Sequence, residues 1–483
     1  MRRLRAQALA VLFSVAFLGT LAAPSSGVRA QAHAASVGSG AIPPAQGAPT
    51  DAPEEDPGAG EVDSHGAIEL DQREEQEAAA QVDEGASAPG VVIRLYWKHG
   101  LNYRLEDKLK VFDNDSRLTG RIGLRLQTDA SAYASSGIEG AHGGVDIRRF
   151  YFYSTGRLEL ARPILFKLDL GVDGGRFFIE DAYFWLTDLP WVGTAKFGQF
   201  KAPMSLSRLV SSNNRPFMEV GSPVEAFSPG SKAGLQFANV AAERRATWAF
   251  GVFADTFEVP DGDATQSAAR VVGRVTGLPI FEPTGSGSRL LHVGLSSSYV
   301  FSSERVQYRA RPESYDAPFL VDTGDIDAAG AYVYGTEIAW IDGPLTVSGE
   351  WLGALVDSRD YGSVNFNGIY GSGVWALTGE QRPYNRDTGI FGAVEPHDPI
   401  DFSAWRSLDN WKKGAWEVAL RASWVDLDSK EIRGGRMVSS TLGVNWIWNR
   451  EVRWLAEYVF ANAKGGPQDG NLHTFQVRFQ VLI

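Results

Sequence analysis

The strongest constraint on what this chain can fold into is a two-residue alternation of apolar and polar side chains, which recurs from Val91 to Ile483. In "ILFKLDLGVD", Ile164, Phe166, Leu168, Leu170 and Val172 share one face of an extended strand, and Leu165, Lys167, Asp169, Gly171 and Asp173 share the other. "GRIGLRLQTDA" sets Ile122, Leu124 and Leu126 against Arg121, Arg125, Gln127 and Asp129. "WEVALRAS" opposes Trp416, Val418 and Leu420 to Glu417 and Arg421, and "TFQVRFQVLI" opposes Phe475, Val477, Phe479 and Val481 to Gln476, Arg478 and Gln480. Segments of helical period are scarce, so the chain reads as all-β.

An alternating strand turns its apolar face to a second sheet in a soluble sandwich and to lipid in a transmembrane barrel. Two features favour lipid. The alternation persists for about 9–12 residues, the length of a tilted membrane strand, where sandwich strands usually run about 5–6. Aromatic residues gather near strand ends, at Trp97, Tyr183, Trp185, Trp191, Trp248, Tyr332, Trp340, Trp416, Trp448 and Trp454, where interfacial girdles need them. Short connections ("DG", "NREV", "DGG") alternate with long polar ones at 305–330 and 379–414, which predicts short periplasmic turns and long external loops.

The N-terminus reads as a targeting signal. Arg2, Arg3 and Arg5 precede the apolar run "ALAVLFSVAFLGTLAA" and small-residue cleavage sites between Val28 and Ala34, so residues 1–32 are assigned to a signal peptide and the protein to export into the outer membrane. The run falls short of the ~20 apolar residues of a spanning helix, and no later segment reaches that length. Residues 33–90, rich in Ala, Pro, Gly, Asp and Glu and without aromatics, read as a disordered acidic linker with one possible short helix near 68–85, a candidate aid to trimer formation. Residues 1–90 hold 5 basic and 13 acidic of the chain's 46 and 58, leaving 41 and 45 for a barrel domain assigned to 91–483.

Between Pro203 and Gly230 the alternation stops. Pro203, Pro216, Pro223 and Pro229 bar this segment from a ladder, yet Met204, Leu206, Leu209, Phe217, Met218 and Phe227 make it too apolar for a solvated loop. A loop folded inward as a constriction satisfies both, the alternative being an external loop packed on its neighbours. Arg208, Arg215, Glu219 and Glu225 are its candidate constriction charges.

The run "FIEDAYFWLTDLPWVGTAKFGQFKAPMSLSRLVSSNNRPFMEVGSPVEAFSPGSKAGLQF" resembles the phosphate-selective porin O and P family, in its aspartate-alanine-tyrosine strand, its "GQFKAP" strand end and its double serine. "WALTGEQRPYNRDTGIFGAVEP", "GAWEVALRASWVDLD" and "LGVNWIWNREVRWLAEYVF" resemble the C-terminal half of the same family, and "GRIGLRLQTDA" and "DIRRFYFYSTGRLE" its early strands. The resemblance implies a transmembrane antiparallel β-barrel of about 16 strands, a homotrimer, insertion by the barrel assembly machinery, and a narrow lumen whose arginines and lysines draw small anions such as phosphate or polyphosphate. It matches Arg148 and Arg149 to the family's paired arginines and Lys201 to the lysine ahead of the inserted loop. Two departures stand out: Val220 follows Glu219 where the family usually has arginine, which removes one constriction charge, and Ile483 replaces the customary final aromatic.

Parity alone points Arg94, Lys98, Arg104, Lys108, Lys110, Arg121, Arg125, Lys167, Arg245, Arg421, Arg453 and Arg478 toward water, with Asp129, Asp169, Glu417 and Glu457 as available partners. Together with Arg148, Arg149 and Lys201 these are the candidate pore-lining and anion-binding residues, Arg121, Arg125, Arg148, Arg149 and Lys201 leading. Arg148 and Arg149 cannot both face inward unless a bulge separates them. The expected outcome is an anion-preferring diffusion porin, with a general or cation-preferring porin as the alternative. An outer-membrane barrel hydrolase is the rival from another class, but G-x-S-x-G, H-E-x-x-H, G-x-G-x-x-G and phosphate-loop motifs are all missing and the seven His are scattered. No catalytic residue, metal, cofactor or nucleic-acid partner is assigned. "DTGDIDAAG" lacks the Gly and terminal Glu of a calcium loop and reads as solvated acidic loop.

Overall fold

The computed structural model describes residues 91–97, 101–107, 117–160, 162–173, 176–256, 267–284, 287–301, 305–404 and 406–483. The expected signal peptide and linker, and Lys98, Lys108 and Lys110, lie outside the described residues, as do the side chains of Arg94 and Arg104.

The alternating segments form strands that pair antiparallel with their sequence neighbours and close into a ring of 16. In chain order they are β3 (Arg117–Ser136), β4 (Gly144–Leu158), β5 (Ile164–Asp173), β6 (Arg176–Leu189), β7 (Gly193–Lys201), β8 (Ser231–Ala241), β9 (Ala246–Thr256), β10 (Ser267–Thr284) and β11 (Gly287–Phe301). Then follow β14 (Ala328–Asp342), β15 (Leu345–Ser358), β16 (Gly362–Ala376), β19 (Ala415–Ser429), β20 (Ile432–Ile447), β21 (Val452–Lys464) and β22 (Gly470–Leu482). The intervening numbers are two-residue ribbons inside loops: β12 (Arg309–Ala310) with β13 (Val321–Asp322), and β17 (Tyr384–Asn385) with β18 (Ile390–Phe391). β22 closes the ring on β3, from Asn471 opposite Ser136 to Leu482 opposite Arg125. Closure pairs the backbone groups of every wall strand on both sides, the condition a strand must meet in lipid.

The closed wall begins at Arg117. Upstream, β1 (Val91–Trp97) and β2 (Leu101–Asp107) form a hairpin, and β2 pairs with Arg117–Ile122 of β3, the stretch left free below the end of β22.

Side chains divide as the alternation predicts. Leu295, Ile338 and Leu420 point outward and stay 59, 53 and 58% exposed, forming the band that lipid covers. Their neighbours Glu337 and Arg421 point inward and are buried. The inward face departs from uniform polarity toward the end of the barrel remote from Ile483. There Leu352, Ala354, Val356, Val364, Phe366, Val425 and Leu427 share an apolar cluster with Met204, Val220, Val224 and Phe227 and with Tyr308, Leu320 and Ile326. Gly368 belongs to this packing: a Cβ there would stand 2.9 Å from Pro223 Cβ.

Two expectations are corrected. Loop length does not separate the two ends: the three-residue connection 359–361 and the long one at 305–327 share the end remote from Ile483, while 377–414 shares the C-terminal end with the two-residue turn Gly343–Pro344. Tyr183 and Trp185 face inward, Trp185 being 4% exposed, because their parity follows Asp181 and not the membrane rim. The aromatic rim expected at Trp416, Trp448 and Trp454 forms there, joined by Trp411, Trp446 and Phe479, with Trp416 and Trp446 stacked at 5.1 Å.

Candidate functional site

The paired arginines come first, because a bulge decides where they point. Gln127 of β3 opposes Arg149 and Thr128 opposes Ile147, so Arg148 is the extra residue of β4. The bulge turns both guanidiniums to one carboxylate. Arg148 Nε lies 2.9 Å from Glu219 Oε1 and Arg149 Nη1 lies 3.7 Å from the same oxygen. Arg478 of β22 approaches it at 2.9 Å while forking onto Asp129 with two bonds of 2.6 Å.

Glu219 belongs to the segment that follows Lys201. After Pro203 the chain makes two short helices, α1 (Leu206–Leu209) and α2 (Ser222–Phe227), before β8 begins. Ser205, at φ +71°, caps α1 by accepting from the Arg208 amide, and Pro223 opens α2, where its missing N–H costs nothing. The segment bonds to strands that are not its neighbours. Glu350 of β15 accepts from the Leu206 and Ser207 amides at 3.0 and 2.8 Å, and Glu457 of β21 from the Met218 amide at 2.7 Å. Arg453 of β21 donates to the carbonyls of Ser212 and Arg215, Asn445 of β20 to that of Pro216, and Arg421 of β19 to that of Glu219. Inward polar side chains thus supply the partners that water gives an exposed loop.

Two further connections meet the inward faces. From 305–327, Glu313 receives Arg421 at 2.6 Å, Ser423 and Thr441 at 2.5 Å and Ser439 at 3.1 Å. Arg311 pairs with Glu225 at 3.0 Å. From 377–414, Arg382 pairs with Glu417 at 2.5 Å and donates to the Asn214 carbonyl. In the same connection, Gly389, at φ +65°, offers its carbonyl to Arg274, which also pairs with Glu337 at 2.6 Å. His292 bridges Glu337 and Tyr384 at 2.9 and 2.6 Å. The expectation that 305–330 and 379–414 are plain external loops therefore fails at these residues. Asp325 and Asp327 do stay at the surface, paired with Arg305 and Arg359.

The cations expected along the pore fall into three groups. Arg125 pairs with Asp169 at 3.7 Å, Lys167 with Asp181 and Asp169 at 2.7 and 3.1 Å, and Arg421 with Glu313. Asp129, Asp169 and Glu417 are the partners parity offered, whereas Glu457 pairs with backbone and Gln476. Arg245 is misplaced by the parity argument: it is exposed in the turn after β8, its guanidinium over Phe281, because the ladder ends at Ala241 and alternation carries no meaning beyond it. Arg121 lies over the Tyr153 ring near the C-terminal end.

The last group has no carboxylate within 4.0 Å among the described residues: Lys201, Arg208, Arg215 and Arg453. Lys201 Nζ donates to the carbonyls of Arg208 and Val210 at 2.9 and 3.2 Å, and Arg208 to that of Val224 at 3.0 Å. The Nε atoms of Arg208, Arg215 and Arg453 are buried without a hydrogen-bond partner. Burial, then the guanidiniums of Arg149 and Arg208, push Arg215 well below its ordinary pKa; burial also lowers Arg208. Arginine does not give up its proton, and burial is the first cause of both shifts, so the direction reflects how far these guanidiniums are withdrawn from water. At Glu219 burial alone would raise the carboxyl, but Arg148, Arg149 and Arg478 outweigh it and hold the group well below the usual carboxylate range.

A ring of sixteen strands whose inward arginines gather around one loop is the observation the sequence comparison meets: residues 121–483 match the family described as phosphate-selective porin O and P. The chain belongs to the phosphate-selective porin O and P family. It is an outer-membrane channel and not an enzyme. Porin O of Pseudomonas aeruginosa is 25% identical over 426 residues, 78% of this chain and 91% of that protein. Among solved structures, the trimer form of OmpT from Vibrio cholerae is similar over 76% of this chain and 99% of its own, at 10% identity and TM-score 0.48. The anion-selective porin from Comamonas acidovorans is similar over 76% and 100%, at 12% identity and TM-score 0.47. Val220, the residue after Glu219, is buried in the apolar cluster with Val224 and Phe227.

Sequence reasoning missed Glu313, Arg382, Arg274, His292 and Glu337. The signal that singled out 203–230, prolines mixed with apolar residues in a loop, is also present in "RPESYDAPFLV" and "RPYNRDTGIFGAVEP" and would have flagged Glu313 and Arg382.

Proposed function

We propose that the protein is a diffusion channel with weak to moderate anion preference, phosphate and polyphosphate among its solutes, and that Pro203–Gly230 lies in the lumen and sets the constriction. The observation that carries this reading is the group of cations around that segment, Lys201 and Arg208 half-buried and Arg215 buried, none with a carboxylate in ion-pair range among the described residues. A unit charge at about 4 Å is worth about 4 kcal/mol at an effective dielectric of ~20, enough to draw an anion out of bulk solution. Several such sites in series let the ion move on without being trapped.

The preference is moderate because most other inward cations are neutralised within the protein: Arg125, Lys167, Arg274, Arg382, Arg421 and Arg478 each face a carboxylate. Val220 leaves the segment one arginine short of the family pattern, which weakens phosphate specificity. The family resemblance implies a homotrimer, with lipid around the outward band and the barrel assembly machinery as the inserting partner. Replacing Lys201 and Arg215 together by Glu tests the assignment: the zero-current potential under a salt gradient moves toward cations, and an unchanged potential in a correctly assembled variant contradicts it.

A further inference from the structure

Glu219 stands where an anion would stand. Its carboxylate meets three guanidiniums, from Arg148, Arg149 and Arg478, and keeps 15% of its side-chain surface exposed, as does Arg148. We propose that Glu219 is a built-in competitor at this three-arginine site, so that a permeant oxyanion binds there in exchange with the Glu219 carboxylate and not in addition to it. The inference deepens the anion-channel reading and rests on it.

Each arginine is held in place without Glu219. Arg478 forks onto Asp129 and donates to the Met218 carbonyl at 2.7 Å. Arg149 donates to Gln127 Oε1 at 2.7 Å. Arg148 lies over the Tyr315 ring with its guanidinium carbon 3.6 Å from the centroid. The site therefore keeps its shape when the carboxylate leaves, which is the preorganisation an anion site needs.

The glutamate is built the opposite way. Its backbone is pinned, since the Met218 amide donates to Glu457 and the Glu219 carbonyl accepts from Arg421 at 2.9 Å. Among the described residues its carboxylate has only the arginines as partners. Rotation of that one side chain opens the site while the loop stays put. Arg148, Arg149 and Arg478 against Asp129 and Glu219 leave one net positive charge; with Glu219 turned away there are two, which suits a divalent oxyanion such as hydrogen phosphate.

The test is block of chloride conductance by inorganic phosphate in planar bilayers, on the full-length protein. Glu219→Gln keeps the shape of the side chain and removes its charge, so the half-blocking phosphate concentration falls by roughly threefold or more. A half-blocking concentration that stays the same or rises overturns the proposal. Arg148→Gln, at the better exposed arginine, gives an independent arm should Glu219→Gln fail to assemble: half-block then needs more phosphate, and no change overturns the proposal equally. Zero-current potentials recorded on the same wild-type channels separate the two failures. Cation preference in the wild type sinks the parent reading, whereas anion preference with phosphate block indifferent to Glu219→Gln sinks this inference alone.

Discussion

Arg148 Nε and Glu219 Oε1 meet at 2.9 Å across 71 residues of chain, and they meet because Arg148 is the bulged residue of its strand. A regular strand would turn either Arg148 or Arg149 to the lipid face, where a bare guanidinium is expensive. The bulge turns both to the same carboxylate and so ties the wall to the loop that follows Lys201.

If that loop narrows the passage, shortening it widens the passage. Replacing Ser205–Ser228 by a short glycine linker removes both helices and their bonds to β15, β19, β20, β21 and β22. Single-channel conductance is expected to rise severalfold in variants that still assemble, and unchanged conductance places the segment outside the conducting path.

The wall was legible in the sequence because a barrel strand has one rule, apolar out and polar in, and "GRIGLRLQTDA" or "TFQVRFQVLI" obeys it residue by residue. Even the bulge at Arg148 could be stated as the condition for both arginines to face inward. Loops carry no parity, so the partners of the wall had to come from packing. Arg245 shows the error at a strand end, where alternation was extended past the ladder into a turn. Glu313 shows the error in a loop: it lies in the connection 305–330 that reads as external, yet it is buried, whereas Asp325, 12 residues further on, stays exposed. The inward apolar residues Phe366 and Leu427 were the visible counterpart, since an apolar side chain facing the lumen needs a loop to cover it.

Arg421 and Glu313 form a pair with side chains 2 and 0% exposed. Removing one partner leaves the other charge buried and uncompensated, at a cost of about 3–5 kcal/mol. Arg421→Met is therefore expected to lower the temperature at which the fast-migrating folded form on gels converts to the unfolded one. Combining it with Glu313→Leu recovers part of the loss, because no bare charge remains. A single variant as heat-resistant as the wild type contradicts this account of the loop.

Acid acts on the same pair with a definite sign. Burial raises the Glu313 carboxyl, but Arg421, then Ser423 and Thr441, more than reverse this and leave it below the ordinary 4.5. A carboxyl depressed in the folded state contributes stability that is complete above its unfolded value and drains away as pH falls through the folded one. The Glu313 contribution to thermal resistance should thus hold steady from neutrality down to about pH 5 and decline below about pH 4. Glu219, held well below the usual carboxylate range, stays ionised at about pH 5, so its carboxylate still occupies the three arginines there. A loss of heat resistance already complete near pH 6 assigns the transition to another group.

A chain lacking residues 31–90 should conduct as the full chain does, since a segment so poor in apolar residues cannot bury enough surface to offset the entropy of ordering it. Loss of trimers on that truncation gives the stretch at 68–85 a part in assembly.

The most direct test of the central claim is the zero-current potential of the wild-type channel across a planar bilayer under a potassium chloride gradient, at low and at high salt. Bulk composition, 41 basic against 45 acidic residues beyond position 90, would favour cations. The local excess of Lys201, Arg208 and Arg215 predicts the opposite sign, strongest at low salt and weaker as the Debye length shrinks from about 30 Å toward about 3 Å. A potential of anion sign that fades with salt agrees with the account, and a potential of cation sign at both concentrations contradicts it.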